Sequence, residues 1–298
     1  MILSAYHKNA SPSNLTVPPN PPGFDVDYRW NTDRPLDTLA VYANVIKIIY
    51  SLSQQRWDTH VKLTDLDVTK TPSLNLAIYL TEVPTSHWLE PGHLILGLRH
   101  AVFNMAGKTP GFYRCMAFFS VRKVQTGRMV IIPDPDFSSV GSSNGISGAS
   151  ISLGAYEANS TLTATSGTIT DPQDRHFTIS WQYEGMEIPE EDVFTTIIDA
   201  QTSVAPHNSA DECDQIIGQS VSTRTMFHLT RFAGLTLRCG RIMRALIMMT
   251  DVILAYPRYG ELSFVLKDFG VDVGRGVLYR IRPLALGQGN GTREVADS

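Results

Sequence analysis

The chain has 298 residues, room for two ordinary domains or one large one, with 43% apolar residues, 18% charged residues and a net charge of −4. That composition is too apolar for a disordered chain, and 25 basic against 29 acidic residues leave no electrostatic footprint for a nucleic-acid backbone. The longest apolar run, Ile242 to Ala255, is broken by Arg244 and Asp251 and falls short of the roughly 20 residues of a membrane-spanning helix.

Residues 1–23 are rich in Pro, Asn and Ser and read as an extended arm. The opening stretch MILSAYHKNASPSN shows no basic region followed by an apolar one, so the expected location is cytoplasmic, and little weight falls on the N-x-S/T sequons at Asn9, Asn14, Asn159 and Asn290. Cys115, Cys213 and Cys239 are odd in number and share no short spacing, which predicts core thiols rather than a disulfide framework or a zinc site.

The body of the chain repeats itself. A first unit, residues 24–132, opens with the alternating strand FDVDYRW, and a second, residues 177–283, opens with FTISWQY. Each strand is followed by Pro35 or Pro189 and then by acids, Asp37 or Glu190 with Glu191, which is a helix start. Helices are predicted over Leu36 to Gln54, Pro91 to Gly107, Glu190 to about Val204 and Thr236 to Tyr256. Hairpins are predicted at Phe112 to Ile132 and Glu261 to Ile281, with Gly127-Arg128 and Gly274-Arg275 as matched turn pairs.

Between these lie strand signals at Val61 to Val68 and Ser73 to Leu80, whereas Asp211 to Arg231 reads as partly helical. Residues 133–176 form a Ser/Gly-rich linker with weak strand signals, and 284–298 a tail. The expected fold is α+β: two duplicated units with mainly antiparallel sheets and helices, packed as a pseudo-dimer with a cleft between them.

Conventional catalytic motifs fail on context. Gly141-Ser-Ser143-Asn-Gly145 has the spacing of a nucleophile elbow but lies in the linker, and Asp65-Leu-Asp67 lacks further ligands. There is no dinucleotide or P-loop motif and no metal-binding His spacing, so no cofactor and no metal are expected.

More informative is the helix carrying Arg238, Arg241, Arg244 and Asp251 along one side of an Ile, Leu and Met framework. Cations near a helix N-terminus oppose its dipole, so a carboxylate partner or a ligand oxygen has to compensate. Arg99 matches Arg244 in the first unit, with His100 beside it, and the aromatics Tyr28, Trp30, Trp181 and Tyr183 line one face of each opening strand. His228 and His87 are further acid or base candidates.

The stretches PPGFDVDYRW, LEPGHLILGLRHAVFNMAG with GFYRCMAFFSV and TGRMVII, and the closing VGRGVLYRI resemble fungal proteins of secondary-metabolite pathways, similar in size and plan to the hetero-Diels-Alderases that join tropolones to sesquiterpenes. The resemblance carries no catalytic motif. It implies cofactor-free chemistry, in which a hydroxylated precursor loses water to give a quinone methide that adds to an alkene in an apolar pocket. A site of that kind needs aromatic walls and hydrogen-bond donors to developing charge. The residues expected to act are then Arg99, Arg244 and His228, with Tyr28, Trp30, His100, Trp181, Tyr183 and Asp251 lining the substrate site. The expected partner is an apolar small molecule, with no nucleic acid and no membrane span, and self-association into a homo-oligomer is a further option. Two other readings stand beside this one: a non-catalytic binding or structural protein, and a cofactor-free isomerase or dehydratase, which requires a carboxylate or His of perturbed pKa.

Overall fold

The computed structural model describes residues 15–61, 69–71, 76–83, 89–107, 111–133, 164–256 and 258–281. The strands are β1 (Phe24–Pro35), β2 (Thr69–Thr71), β3 (Leu76–Glu82), β4 (Tyr113–Val121), β5 (Val124–Pro133), β6 (Ser166–Thr170), β7 (Phe177–Glu187), β8 (Gln215–Gln219), β9 (Thr225–Arg231), β10 (Gly260–Asp268) and β11 (Val271–Arg280). The helices are α1 (Thr38–Ser53), α2 (Pro91–Ala106), α3 (Glu190–Val204) and α4 (Cys239–Ala255). The fold is α+β with two antiparallel sheets, one of five strands in the order β1-β4-β5-β3-β2 and one of six in the order β6-β7-β10-β11-β9-β8.

Alternation decides which face of each sheet is buried. In β1 the residues Phe24, Val26, Tyr28 and Trp30 pack into the core, and Asp25, Asp27 and Arg29 point to solvent. In β7 the same role falls to Phe177, Ile179, Trp181 and Tyr183. α1 and α2 cover the first sheet, α3 lies over β8 and β9, and α4 runs along β7, with Arg241 over the Phe177 ring and Tyr256 beside Trp181. The helices also pack on one another, α1 against α3 and α4, and α2 against α3. This is why α1 is buried almost all round: Ala40 to Ile46, Ile48, Ile49 and Leu52 are all inaccessible, and Lys47 is its one charged residue. Tyr42 stacks on Phe194 at 5.0 Å where α1 meets α3.

The helix starts follow the sequence signals. Asp37 accepts from the Ala40 amide at 2.8 Å as the α1 cap, and Glu190, Glu191 and Asp192 stand in the first turn of α3.

Several expectations are corrected. Asp211 to Arg231 is not helical: it holds β8 and β9, and the alternation of Thr225, Phe227 and Leu229 against Met226 and His228 is that of a half-buried strand. Gly127-Arg128 and Gly274-Arg275 lie inside β5 and β11 rather than in turns. The turns are Arg122-Lys123 and Phe269-Gly270, where all four residues have positive φ, and the register shifts by one residue near each.

The cysteines are corrected as well: Cys213 and Cys239 form a disulfide with Cα atoms 5.6 Å apart, and Cys115 is a buried thiol in β4. The 26-residue separation hid the bond, because β8, β9 and the loop after them fold back before the chain enters α4. At the N-terminal side, Leu15 is 2% exposed and bridges in parallel to Ile216 of β8. The signals at 62–68, Asp65 and Asp67, His87, Ser143 and the Asn of all four sequons lie outside the described residues.

Candidate functional site

The arginines set out for a ligand role are answered by carboxylates. Arg244 donates from Nε to Asp171 Oδ2 at 2.8 Å and from Nη2 to Oδ1 at 2.5 Å, with both side chains buried. Asp171 is held in place by the turn after β6, where its Oδ1 also accepts from the Gln173 amide at 2.8 Å. Arg241 pairs with Asp174 of the same turn at 2.7 Å and with both oxygens of Asp268. The dipole disfavours an exposed cation there by about 0.3–1 kcal/mol, and each arginine is answered by carboxylate hydrogen bonds, buried at Arg244 and part-exposed at Arg241.

Arg99 reaches across from α2 to α3, where Asp199 Oδ1 accepts from Nη2 at 2.6 Å and from Nε at 2.8 Å, while Oδ2 takes the Gln219 amide at 2.9 Å. His100 beside it is half-buried, and burial together with the Arg99 charge lowers its pKa.

The aromatic pairs pack within their own layers rather than facing each other across a shared cleft. Tyr28 stacks with Trp30 at 5.8 Å and donates its hydroxyl to the Gly97 carbonyl of α2 at 3.3 Å, and burial raises its pKa. Trp181 meets Tyr183 edge-on at 5.6 Å, and Tyr183 donates to the Tyr256 carbonyl at 3.3 Å, with its pKa pushed up to about 12 by burial. His228 projects from the face of the second sheet opposite the helices, 2.6 Å from Gln215 Nε2, and burial lowers its pKa with Arg275 contributing. Arg99, Arg244, His228 and the four aromatics therefore do not converge on one point.

One polar group does gather at the junction of the two halves, between α1 and α4. These helices run antiparallel: Ser53 and Gln54 at the end of α1 meet Cys239, Gly240 and Met243 at the start of α4 around a depression with room for about one water molecule. Further along, Tyr50 lies beside Arg244, with its ring centroid 5.9 Å from the guanidinium carbon, and Lys47 faces Asp251. Asp251 is half-buried, and burial pushes its pKa up to about 6, against the pull of Lys47 and Arg244. Burial lowers the Lys47 pKa, opposed by the Asp251 charge. Nη1 of Arg244 is buried with no hydrogen-bond partner among the described residues.

Asp251 was legible as the acid on the arginine side of α4. Lys47 and Tyr50 were missed, although a lone lysine inside an apolar helix is a signal that could have found the first. Among the described residues no cluster of His, Cys, Asp and Glu is arranged to hold a metal, and no helix is long and apolar enough to cross a membrane. No protein-family model, curated protein or solved structure matches the chain.

Proposed function

We propose that the chain is a cofactor-free enzyme acting on an apolar, hydroxylated small molecule at the α1–α4 junction, by acid–base chemistry centred on Asp251. The observation that carries this is the placement of Asp251: a carboxyl with pKa near 6, facing Lys47, on one of the helix pairs that join the two halves. An acid of that strength is partly protonated near neutrality. In its carboxyl form Asp251 gives its proton to a leaving hydroxyl, which departs as water, and the carboxylate then takes a phenolic proton from the same substrate, leaving a quinone methide and the restored acid. Cycloaddition of that product to an alkene is the hetero-Diels-Alder outcome implied by the resemblance, and the same proton transfers serve a dehydratase or isomerase.

The duplication belongs to this proposal. In support of it, β1-β4-β5-β3-β2 and β7-β10-β11-β9-β8 run through their elements in the same order, with β6 added at one edge. Two copies of one unit packed through their helices as a pseudo-dimer put α1 and α4 at the shared boundary.

A second reading, a non-catalytic binding or structural protein, is favoured by the pairing of Arg99 with Asp199 and Arg244 with Asp171, which leaves little charge for a substrate. Incubation with hydroxylated apolar polyketide and terpenoid precursors, followed by mass spectrometry of the products, separates the two. Turnover by the native chain and at least a hundredfold loss in Asp251→Asn, with the fold retained, supports the enzyme. Unchanged turnover in that variant overturns it, and no turnover of any precursor favours the second reading.

A further inference from the structure

Among the described residues the exposed large apolar side chains are Val124, Met186, Phe269, Val271 and Val277, and three of these five stand at two hairpin tips. Val124 is 41% exposed beside the β4–β5 turn Arg122-Lys123, and Phe269 and Val271 are 69% and 50% exposed at the β10–β11 turn Phe269-Gly270. Both tips leave the same end of the molecule. The first lies past the start of β1, where Phe24 pairs with Val121 and stacks on His93 in the first turn of α2, and Gly92 of that turn donates to the Trp57 carbonyl just past α1. The second lies past the start of β7, where Phe177 pairs with Asp268, and Asp268 is bonded to Arg241 in the first turn of α4. The end of α1 meets the start of α4, so the two tips share that end.

Neither turn has the sequence its backbone favours. A two-residue hairpin turn with positive φ at both positions favours Asn-Gly, because other side chains are crowded there. Here Arg122 and Lys123 hold φ values of 51° and 67°, and Phe269 one of 50°. Bulky side chains in that region are strained, and such strain marks positions where the side chain itself is needed. The Phe269 ring rests on His176 with centroids 4.4 Å apart and still lies largely in solvent.

The charges add a sign to this surface. Asp272 pairs with Lys267 at 3.5 Å, Asp268 and Asp174 both answer Arg241, and Asp25 accepts from the Val26 amide. Arg122, Lys123 and Arg175 are exposed and have no carboxylate partner among the described residues. Three apolar side chains on two convex tips supply only part of the roughly 800 Å² a side of a standard protein interface. A lipid surface needs no complementary shape, because apolar side chains enter the boundary between headgroups and acyl chains while basic ones meet anionic headgroups. We propose that the β4–β5 and β10–β11 tips dock the protein on a membrane surface that carries anionic phospholipid, with Val124, Phe269 and Val271 in the boundary layer and Arg122, Lys123 and Arg175 against the headgroups.

The test is sedimentation of the full chain with vesicles of phosphatidylcholine containing about one-third phosphatidylserine, beside vesicles of phosphatidylcholine alone. The native chain should sediment with the first and not with the second, and added salt should weaken the association. Phe269→Asn should weaken it on the order of tenfold and raise the thermal midpoint, since Asn tolerates the turn that Phe strains. Arg122→Asn combined with Lys123→Gly makes the same exchange at the other tip and should have both effects there. No association of the native chain with the mixed vesicles, equal association with both kinds of vesicle, or association unchanged in both variants overturns the proposal. A dimer in solution that is lost in Phe269→Asn also overturns it, by assigning the tip to a second copy of the chain.

Discussion

Arg244 and Asp171 are locked as a two-point ion pair with side chains 7% and 3% exposed, one from α4 and the other from the turn that leads into β7. Removing one partner of such a pair strands a buried charge, at about 3–5 kcal/mol. Arg244→Met is therefore expected to lower the unfolding free energy by that amount in urea titration. Asp171→Asn keeps an oxygen for the Gln173 amide and should cost less. The double variant should recover part of the loss, because it leaves no unpaired charge. A loss under about 1 kcal/mol in Arg244→Met would mean that solvent screens the pair.

Arg99 and Asp199 make the corresponding connection from α2 to α3, and so tie the two halves of the chain together. A double-mutant cycle with Arg99→Met and Asp199→Asn should return a coupling of about 1–3 kcal/mol. Asn at 199 can still accept from the Gln219 amide, so the cycle isolates the charge pair from the backbone contact. Additive effects would show that the halves are held by apolar helix contacts alone.

Asp251 makes stability fall as pH rises. Its pKa is near 6 in the folded chain against an ordinary 3.8, so between those values the unfolded chain sheds its proton first and the folded state is disfavoured. Below about 4 both states are protonated and the group costs nothing, whereas above about 6 it costs on the order of 2–3 kcal/mol. Asp251→Asn should remove this slope from unfolding midpoints taken between pH 4 and 7. Lys47 then loses the charge that supports its protonated form, which sets a penalty against the gain at neutral pH. An unchanged slope in Asp251→Asn would place the titrating group elsewhere.

What was legible in the sequence was local and periodic. The Pro and acid pairs at Pro35 with Asp37 and at Pro189 with Glu190 mark helix starts because they answer the free amides and the dipole of one turn, which neighbours in sequence can do. The buried faces of β1 and β7 follow from alternation. What stayed hidden depends on convergence in space: that Asp171 and Asp199 would answer Arg244 and Arg99, and that Cys213 would meet Cys239, cannot be seen from spacing. The need of α4 for counter-charge was visible, but the choice between a carboxylate and a ligand was not. β8 and β9 were misread because their alternation is short and interrupted by Ser220 to Arg224, so only pairing with β11 fixes them as strands.

Gly97 tests how tightly α2 is seated on the first sheet. In an exposed helix Gly→Ala is stabilising, by about 1 kcal/mol. Here a Cβ on Gly97 would overlap Cε1 of Phe119 and lie 2.9 Å from its Cζ, and the ring belongs to a fully buried side chain on β4. Phe119 is stacked on Phe24, which is itself stacked on His93 of α2, so the ring has little freedom to move aside. Overpacking of about 1–3 kcal/mol should then exceed the propensity gain, and Gly97→Ala should lower the thermal midpoint. Moving α2 outward would also strain the Tyr28 hydroxyl bond to the Gly97 carbonyl. Pairing Gly97→Ala with Phe119→Leu opens the space and should restore most of the loss relative to Phe119→Leu alone. If Gly97→Ala instead raises the midpoint, the helix is less closely applied to β4 than the packing of Phe119 requires.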